Sequence, residues 1–286
     1  MAELRGPGEA RVEPLTPRDV PAAARLSAGV GWNQVEADWE RLLAVAPGGV
    51  FGARLGGELV GTASLARHGD RLAWLGMVIV REDLRGRGLG GRLVEAALAS
   101  WTPPAGGAVG LDATELGAPV YLRRGFEPVA AIDRWTGVLR APAGSAAARE
   151  AGPEDLEAIA ALDAAATGAD RRRLLGRMLS EPGTAVFVAE GARAYGALRP
   201  GRARWHVGPV VAEDEEALGA VLAAVAERAA GREVFLDAVR SEARREVLTR
   251  LGLGAVRELR RMLRPARPEL AMLDERVLAA TAFEWG

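Results

Sequence analysis

The chain repeats itself, and that repetition limits its fold more than any other feature. Residues 15–26, LTPRDVPAAARL, match residues 151–162, AGPEDLEAIAAL: Pro17 falls on Pro153, Asp19 on Asp155, and the helical apolar positions coincide. GGVFGARLGGELVGTASL (48–65) parallels TAVFVAEGARAYGALRP (184–200), each reading as a strand, a Gly-containing turn and a second strand. WLGMVIVRED (74–83) parallels WHVGPVVAED (205–214), and LDATELGAPVYLRRGF (111–126) parallels LDAVRSEARREVLTRLGL (236–253). The matches come in the same order in both halves. Two copies of one α/β domain, 1–140 and 141–286, is the economical reading, with the small-residue stretch APAGSAAAR (141–149) as linker. At 286 residues the chain is long enough for two cores.

Each half predicts two helices, a strand meander, a strand, a long helix, a strand, a helix and a closing strand. AWLGMVIV is an almost unbroken apolar run, as a central strand covered on both faces should be. The fold class is a mixed α/β sandwich.

After that strand comes REDLRGRGLGGRL, where the strand ends near Val80 and a helix begins at about Leu89. The turn therefore delivers a helix N-terminus, with unpaired N–H groups and the positive end of the dipole, to the sheet edge. Glycines at 86, 88, 90 and 91 let a phosphate approach the backbone, and Arg85 and Arg87 add positive charge. GRGLGG (86–91) also fits the spacing G-x-G-x-x-G, but a dinucleotide fold carries that fingerprint in its first strand–helix turn, whereas here a strand meander comes before it. All 37 basic residues are arginine, which excludes a Walker-type phosphate loop, a pyridoxal Schiff base and a lysine base.

What remains, Arg85-x-x-Gly88-x-Gly90, resembles the R/Q-x-x-G-x-G/A motif of the GNAT N-acetyltransferase superfamily. YLRRGF (121–126) resembles the same family's Tyr-x-x-x-Gly-Phe segment, with Thr114 seven residues earlier where many members carry Asn. The resemblance covers residues 11–140 well and 148–286 in fold only. It implies two tandem GNAT-like domains and acetyl-coenzyme A, or another acyl-coenzyme A, as co-substrate. By the same resemblance Met77, Val78 and Val80 offer backbone groups to the pantetheine arm, which lies in a gap between splayed strands and bonds like an added strand. Arg85, Gly86, Arg87, Gly88, Leu89, Gly90 and Gly91 hold the diphosphate, and an N–H near Met77 or Val78 stabilises the thioester oxyanion. Tyr121 is implied as the acid that protonates the departing thiolate, its unperturbed pKa near 10 being comparable to a thiol's; a core tyrosine satisfied locally is the other reading.

No strong base stands out. Asp112 and Glu115 are weak candidates, each read first as a solvated or capping carboxylate, and Glu82 and Asp83 read as groups that orient the turn or cap the helix. Trp32 and Asn33, in AGVGWNQVEADWERLL (28–43), form a candidate acceptor wall, although Trp32 and Trp39 also fit a helical core stripe. His68, in ARHGDRL, reads as a surface residue of a hairpin turn.

The second copy is expected to have lost coenzyme binding. Where the first has its glycine turn, the second has Glu213, Asp214, Glu215 and Glu216, which satisfy a helix dipole themselves and repel a diphosphate. LTRLGL replaces YLRRGF, without the tyrosine. Tyr195, Trp205 and His206 are set down as second-copy residues within reach of the acceptor.

The resulting expectation is an N-acetyltransferase acting on a small-molecule amine or an exposed amino group, with a non-catalytic acyl-coenzyme A sensor as the alternative. A formal net charge of -1 argues against nucleic acid and anionic membranes. Two histidines and no cysteine leave no metal cluster to expect. The lack of any long apolar run reads as a cytoplasmic protein, and the exposed sheet edges of GNAT domains suggest a homodimer.

Overall fold

A computed structural model describes residues 10–142 and 147–286, so much of the expected linker and the first nine residues lie outside the described residues. The first run of elements is β1 (Arg11–Pro14), α1 (Val20–Gly29), α2 (Glu36–Val45), β2 (Val50–Leu55), β3 (Glu58–His68), β4 (Leu72–Val80), α3 (Leu89–Ala99), β5 (Ala108–Ala113), α4 (Ala118–Leu122) and β6 (Glu127–Val138). The second is β7 (Ala148–Glu150), α5 (Leu156–Thr167), α6 (Arg172–Ser180), β8 (Ala185–Ala189), β9 (Ala194–Arg199), β10 (Trp205–Ala212), α7 (Glu215–Ala229), β11 (Glu233–Val239), α8 (Glu242–Arg250) and β12 (Gly254–Arg264). It repeats the first element for element and then adds β13 (Val277–Ala279). Even the entry to the first helix is duplicated. The Asp19 carboxylate accepts the Thr16 N–H at 2.8 Å and that of Asp155 accepts the Gly152 N–H at 2.9 Å, each fastening a 3-10 turn that opens on proline.

Contacts divide the chain into two compact units: residues 1–67 with 74–102, and residues 68–73 with 103–286. In the first, the strand order is β1-β2-β3-β4, with β1–β2 and β2–β3 antiparallel. β3 and β4 are buried almost throughout, as strands covered on both faces must be. Trp39 and Leu42 of α2 and Leu93 and Val94 of α3 supply core residues.

In the second unit the order is β5-β12-β6-β11-β10-β9-β8-β7. The sheet is mixed, β10–β11 being parallel and β5–β12, β12–β6 and β6–β11 antiparallel. Tyr195 of β9 points at Asp163 of α5, and a Cβ on the next residue, Gly196, would press on Val221 of α7. Alternate residues of a strand face opposite sides, so α5 and α7 cover opposite faces of β9. The two repeats also trade closing strands: β12 of the second lies on β5 of the first, and β6 of the first on β11 of the second. Two buried ion pairs mark the exchange, Arg261 with Asp112 at 2.9 Å and Arg134 with Asp237 at 2.7 Å.

Candidate active site

In the first unit β4 carries a kink at Met77, a buried residue with φ 50°, whose carbonyl accepts the Thr62 hydroxyl at 2.8 Å. Val78 and Val80 are half-buried. A 3-10 turn (Glu82–Leu84) follows, anchored by buried Leu84. The acids of this turn orient arginines rather than cap α3. Asp83 takes two hydrogen bonds from Arg81, at 2.7 and 3.0 Å, which draw its carboxyl below the usual range, and Glu82 lies 4.0 Å from Arg85. Arg85 Nε donates to the Val80 carbonyl at 3.1 Å, holding its guanidinium beside the turn.

Gly86 (φ 73°) and Gly88 (φ 82°) take left-handed conformations, and a Cβ at either would meet open space. Gly88 is the N-cap of α3, which has neither a side-chain cap nor an acidic residue in its first turn. The leading N–H groups therefore lack the carboxylate or hydroxyl acceptor that helix starts ordinarily recruit. Gly86, Arg87 and Gly88 are exposed, Leu89 is buried, and Gly90 and Gly91 are half-buried. Left-handed glycines followed by uncapped helical amides are backbone geometry that can accommodate an anion, and arginine side chains beside such a turn favour one.

Tyr121 belongs to the second unit, on α4. It is 8% exposed and packs edge-on against Phe126 at 6.0 Å between ring centroids. Burial pushes its hydroxyl up to about 12. Thr114, which follows β5, accepts the Gly117 N–H on its hydroxyl at 3.1 Å and so fixes the entry to α4. Glu115 is exposed and lines a pocket of about 650 Å³ with Thr114, Leu116, Pro119, Arg257 and Glu258. Asp112, the other base candidate, is occupied otherwise: its fully buried carboxylate takes two hydrogen bonds of 2.9 Å from Arg261. Burial raises this carboxyl, with the Arg261 guanidinium opposing. That pairing gives Asp112 a structural duty between strands in place of the expected one.

Trp32 and Asn33 lie in the loop between α1 and α2, Trp32 half-buried and Asn33 buried. Trp39 alone is core, donating its indole N–H to Ser27 Oγ at 3.3 Å, so the two tryptophans do not share a helical stripe. A pocket of about 510 Å³ in the first unit, missed from the sequence, is lined by Arg25, Leu26 and Gly29 of α1 and by Arg54, Glu58 and Arg81. No local pattern announces it, because it forms where a helix meets a hairpin. Arg257 and Glu258 were missed for a related reason: the strand exchange brings them to Thr114 and Glu115.

At the matching position of the second repeat, α7 is closed. Asp214 accepts the Ala217 N–H at 2.8 Å, Glu215 and Glu216 occupy the first turn, and Arg193 pairs with Asp214 at 2.8 Å. Three further expectations are overturned in this unit. Tyr195 is fully buried and bonded to Asp163, and His206 is 2% exposed, so neither presents itself to an acceptor; Trp205 is half-buried, with Arg232 over its ring at 5.3 Å. His68 is 1% exposed and bonds through Nε2 to the Trp285 carbonyl at 2.8 Å, because residues 280–286 fold over it. Among the described residues no group of His, Cys, Asp and Glu is arranged to hold a metal ion, and no helix is long and apolar enough to cross a membrane.

Comparison with known proteins gives two family matches, one on each side of residue 140. The Acetyltransferase (GNAT) family model matches residues 24–126, and the Acetyltransferase (GNAT) domain model matches residues 159–273. The uncharacterized N-acetyltransferase YitH of Bacillus subtilis is 30% identical over 163 residues, which are 54% of this chain and 55% of YitH; the chain thus matches about half the length of that curated relative. A crystal structure of a candidate acetyltransferase from Pyrococcus horikoshii superposes with TM-score 0.83 at 20% identity, over 100% of this chain and 99% of the other. A tandem GNAT protein from the clavulanic acid biosynthesis pathway superposes with TM-score 0.58 at 18% identity, over 89% of this chain and 98% of that one. At such identities these two likenesses speak for the fold.

Proposed function

The chain belongs to the GNAT acetyltransferase family, and on that premise we propose that it transfers an acyl group, acetyl in the first instance, from acyl-coenzyme A to an amine of a small molecule or to an exposed amino group. One observation carries the reading: after β4, two left-handed glycines lead into a helix whose first amides have neither a side-chain cap nor an acidic neighbour. A turn with glycine at 86, 88, 90 and 91 and with Arg85 and Arg87 beside them suits a diphosphate. We assign the transfer chemistry to the module 1–140 and give the module 141–286 no coenzyme of its own, since Asp214, Glu215 and Glu216 already satisfy the start of α7.

When bound, acetyl-coenzyme A supplies an acyl group activated as a thioester. Arg85, Arg87 and the main chain of residues 86–91 hold the diphosphate, and Thr114 supports the same cofactor. Main-chain groups of Met77, Val78 and Val80 align the arm, and an N–H at Met77 or Val78 stabilises charge growing on the thioester oxygen. Tyr121, its hydroxyl pushed up to about 12, keeps its proton at neutral pH and gives it to the departing sulfur. The amine attacks in its neutral form and sheds its proton to water or to Glu115. Trp32 and Asn33 serve as the acceptor wall.

Titration with acetyl-coenzyme A, followed by an amine panel read as free thiol release, tests the proposal. Saturable binding that Gly88→Asp abolishes, together with amine-dependent thiol release, is the expected result. Binding without thiol release from any amine would make the protein a sensor instead.

A further inference from the structure

In the second module, β10 runs parallel to β11 only as far as Val207 and Leu236 and then leaves it at Gly208. Diverging strands inside a sheet expose main-chain donors and acceptors that something must satisfy. Here the satisfying element is this chain's own residues 276–281. Ala212 N–H donates to the Arg276 carbonyl at 2.9 Å, Val210 and Val211 of β10 pair with Ala279 and Val277 of β13, and Ala280 N–H donates to the Asp237 carbonyl of β11 at 2.8 Å. The inserted segment therefore bonds to both walls of the wedge.

Its far end is fastened by a buried polar cluster. Arg171, held by Asp163 through two hydrogen bonds of 2.5 and 2.9 Å, donates to Thr281 Oγ1 at 2.8 Å and to the Gly286 carbonyl at 3.3 Å. Arg199 reaches the Thr281 carbonyl at 3.4 Å, and His68 the Trp285 carbonyl. The repeat places Gly208 on Met77, Pro209 on Val78 and Val211 on Val80. Met77 (φ 50°) and Gly208 (φ 152°) each interrupt their strand at the same place in the repeat, though with different backbone conformations, and Pro209 has no N–H where Val78 has one.

We propose that residues 276–281 are a built-in occupant of the second module's ligand groove, an added strand seated where the first module takes its coenzyme arm. The proposal rests on the coenzyme reading for β4 and names what fills the equivalent wedge. The occupant makes the second module a fixed wall, and the chain takes one coenzyme.

Hydrogen–deuterium exchange on the full chain, with and without saturating acetyl-coenzyme A, tests it beside a calorimetric stoichiometry. Amides at 277–281 should exchange on the order of 100-fold or more below open-chain rates, and equally slowly with ligand, at one coenzyme per chain. Thr281→Val, which keeps the volume and removes an acceptor of Arg171, should speed their exchange about tenfold while ligand protection at residues 86–92 persists. Open-chain rates at 277–281, ligand-accelerated exchange there, a stoichiometry of two, or no effect of Thr281→Val overturns the proposal. Slow exchange at 277–281 without ligand protection at 86–92 supports the occupied groove and refutes the coenzyme reading.

Discussion

Arg261 grips Asp112 through two hydrogen bonds of 2.9 Å, and the same grip recurs with the repeats reversed, where Arg134 holds Asp237 at 2.7 and 2.8 Å. Each acid sits on the inner strand of one repeat and each arginine on the closing strand of the other. All four side chains are buried or nearly so, and each pair fastens the closing strand of one repeat to the inner strand of the other.

Breaking one pair should therefore cost more than replacing it. Asp112→Ala leaves the Arg261 guanidinium, 1% exposed, without its carboxylate, for a loss of roughly 3–5 kcal/mol in chemical denaturation. Asp112→Leu with Arg261→Met should restore most of that loss, which a double-mutant cycle reads directly. Additive losses would show that the pair does not act as a unit.

Gly88→Asp adds a side chain at φ 82° and a negative charge at the mouth of α3. Strain of about 1–2 kcal/mol and repulsion of the ligand both oppose binding, so acetyl-coenzyme A affinity should fall at least about tenfold by calorimetry. Arg87→Glu should act in the same direction without backbone strain. Glu215→Gln and Glu216→Gln in α7 should leave that affinity unchanged.

Tyr121→Phe should slow thiol release on the order of 100-fold while coenzyme affinity moves by less than about twofold. With its hydroxyl pushed up to about 12 by burial, Tyr121 should impose no falling limb on the rate profile below about pH 11. Its folded value lies above its unfolded one, so the stability it contributes is complete below pH 10 and drains away as pH rises toward 12. Alkaline denaturation of the wild type against Tyr121→Phe measures that window.

The duplication was legible because it is written in local devices: a proline and an aspartate that fasten the entry to a helix, and an apolar run that can only be a covered strand. The glycine turn was legible for the same reason, since residues 85–91 carry their own backbone instructions. What could not be read were the partners of β6 and β12, because antiparallel pairing of two arginine-bearing strands with either inner strand looks alike in sequence. Asp112 seemed available as a base only while Arg261, 149 residues away along the chain, was unplaced. Tyr195 and His206 were misjudged because their surroundings arrive from α5 and the closing segment.

His68 shows the same blindness and supplies the last expectation. Its local sequence, RHGD, is that of an exposed turn, yet Nε2 donates to the Trp285 carbonyl while Nδ1 finds no acceptor or donor. Burial, aided by the nearby Arg171 guanidinium and opposed by the Trp285 hydrogen bond, Asp163 and Asp170, lowers its pKa to about 4. The folded chain thus holds a neutral imidazole that the unfolded chain protonates near 6.5. Its contribution is complete above pH 6.5 and is lost as pH falls toward 4, amounting to roughly 2–3 kcal/mol between pH 7 and 4.5. His68→Gln, which keeps a donor for the Trp285 carbonyl, should weaken the protein at pH 7 yet flatten its acid limb, so that wild type and variant converge as pH falls. Parallel denaturation curves for the two from pH 7 to 4.5 would show that His68 titrates as freely in the fold as out of it.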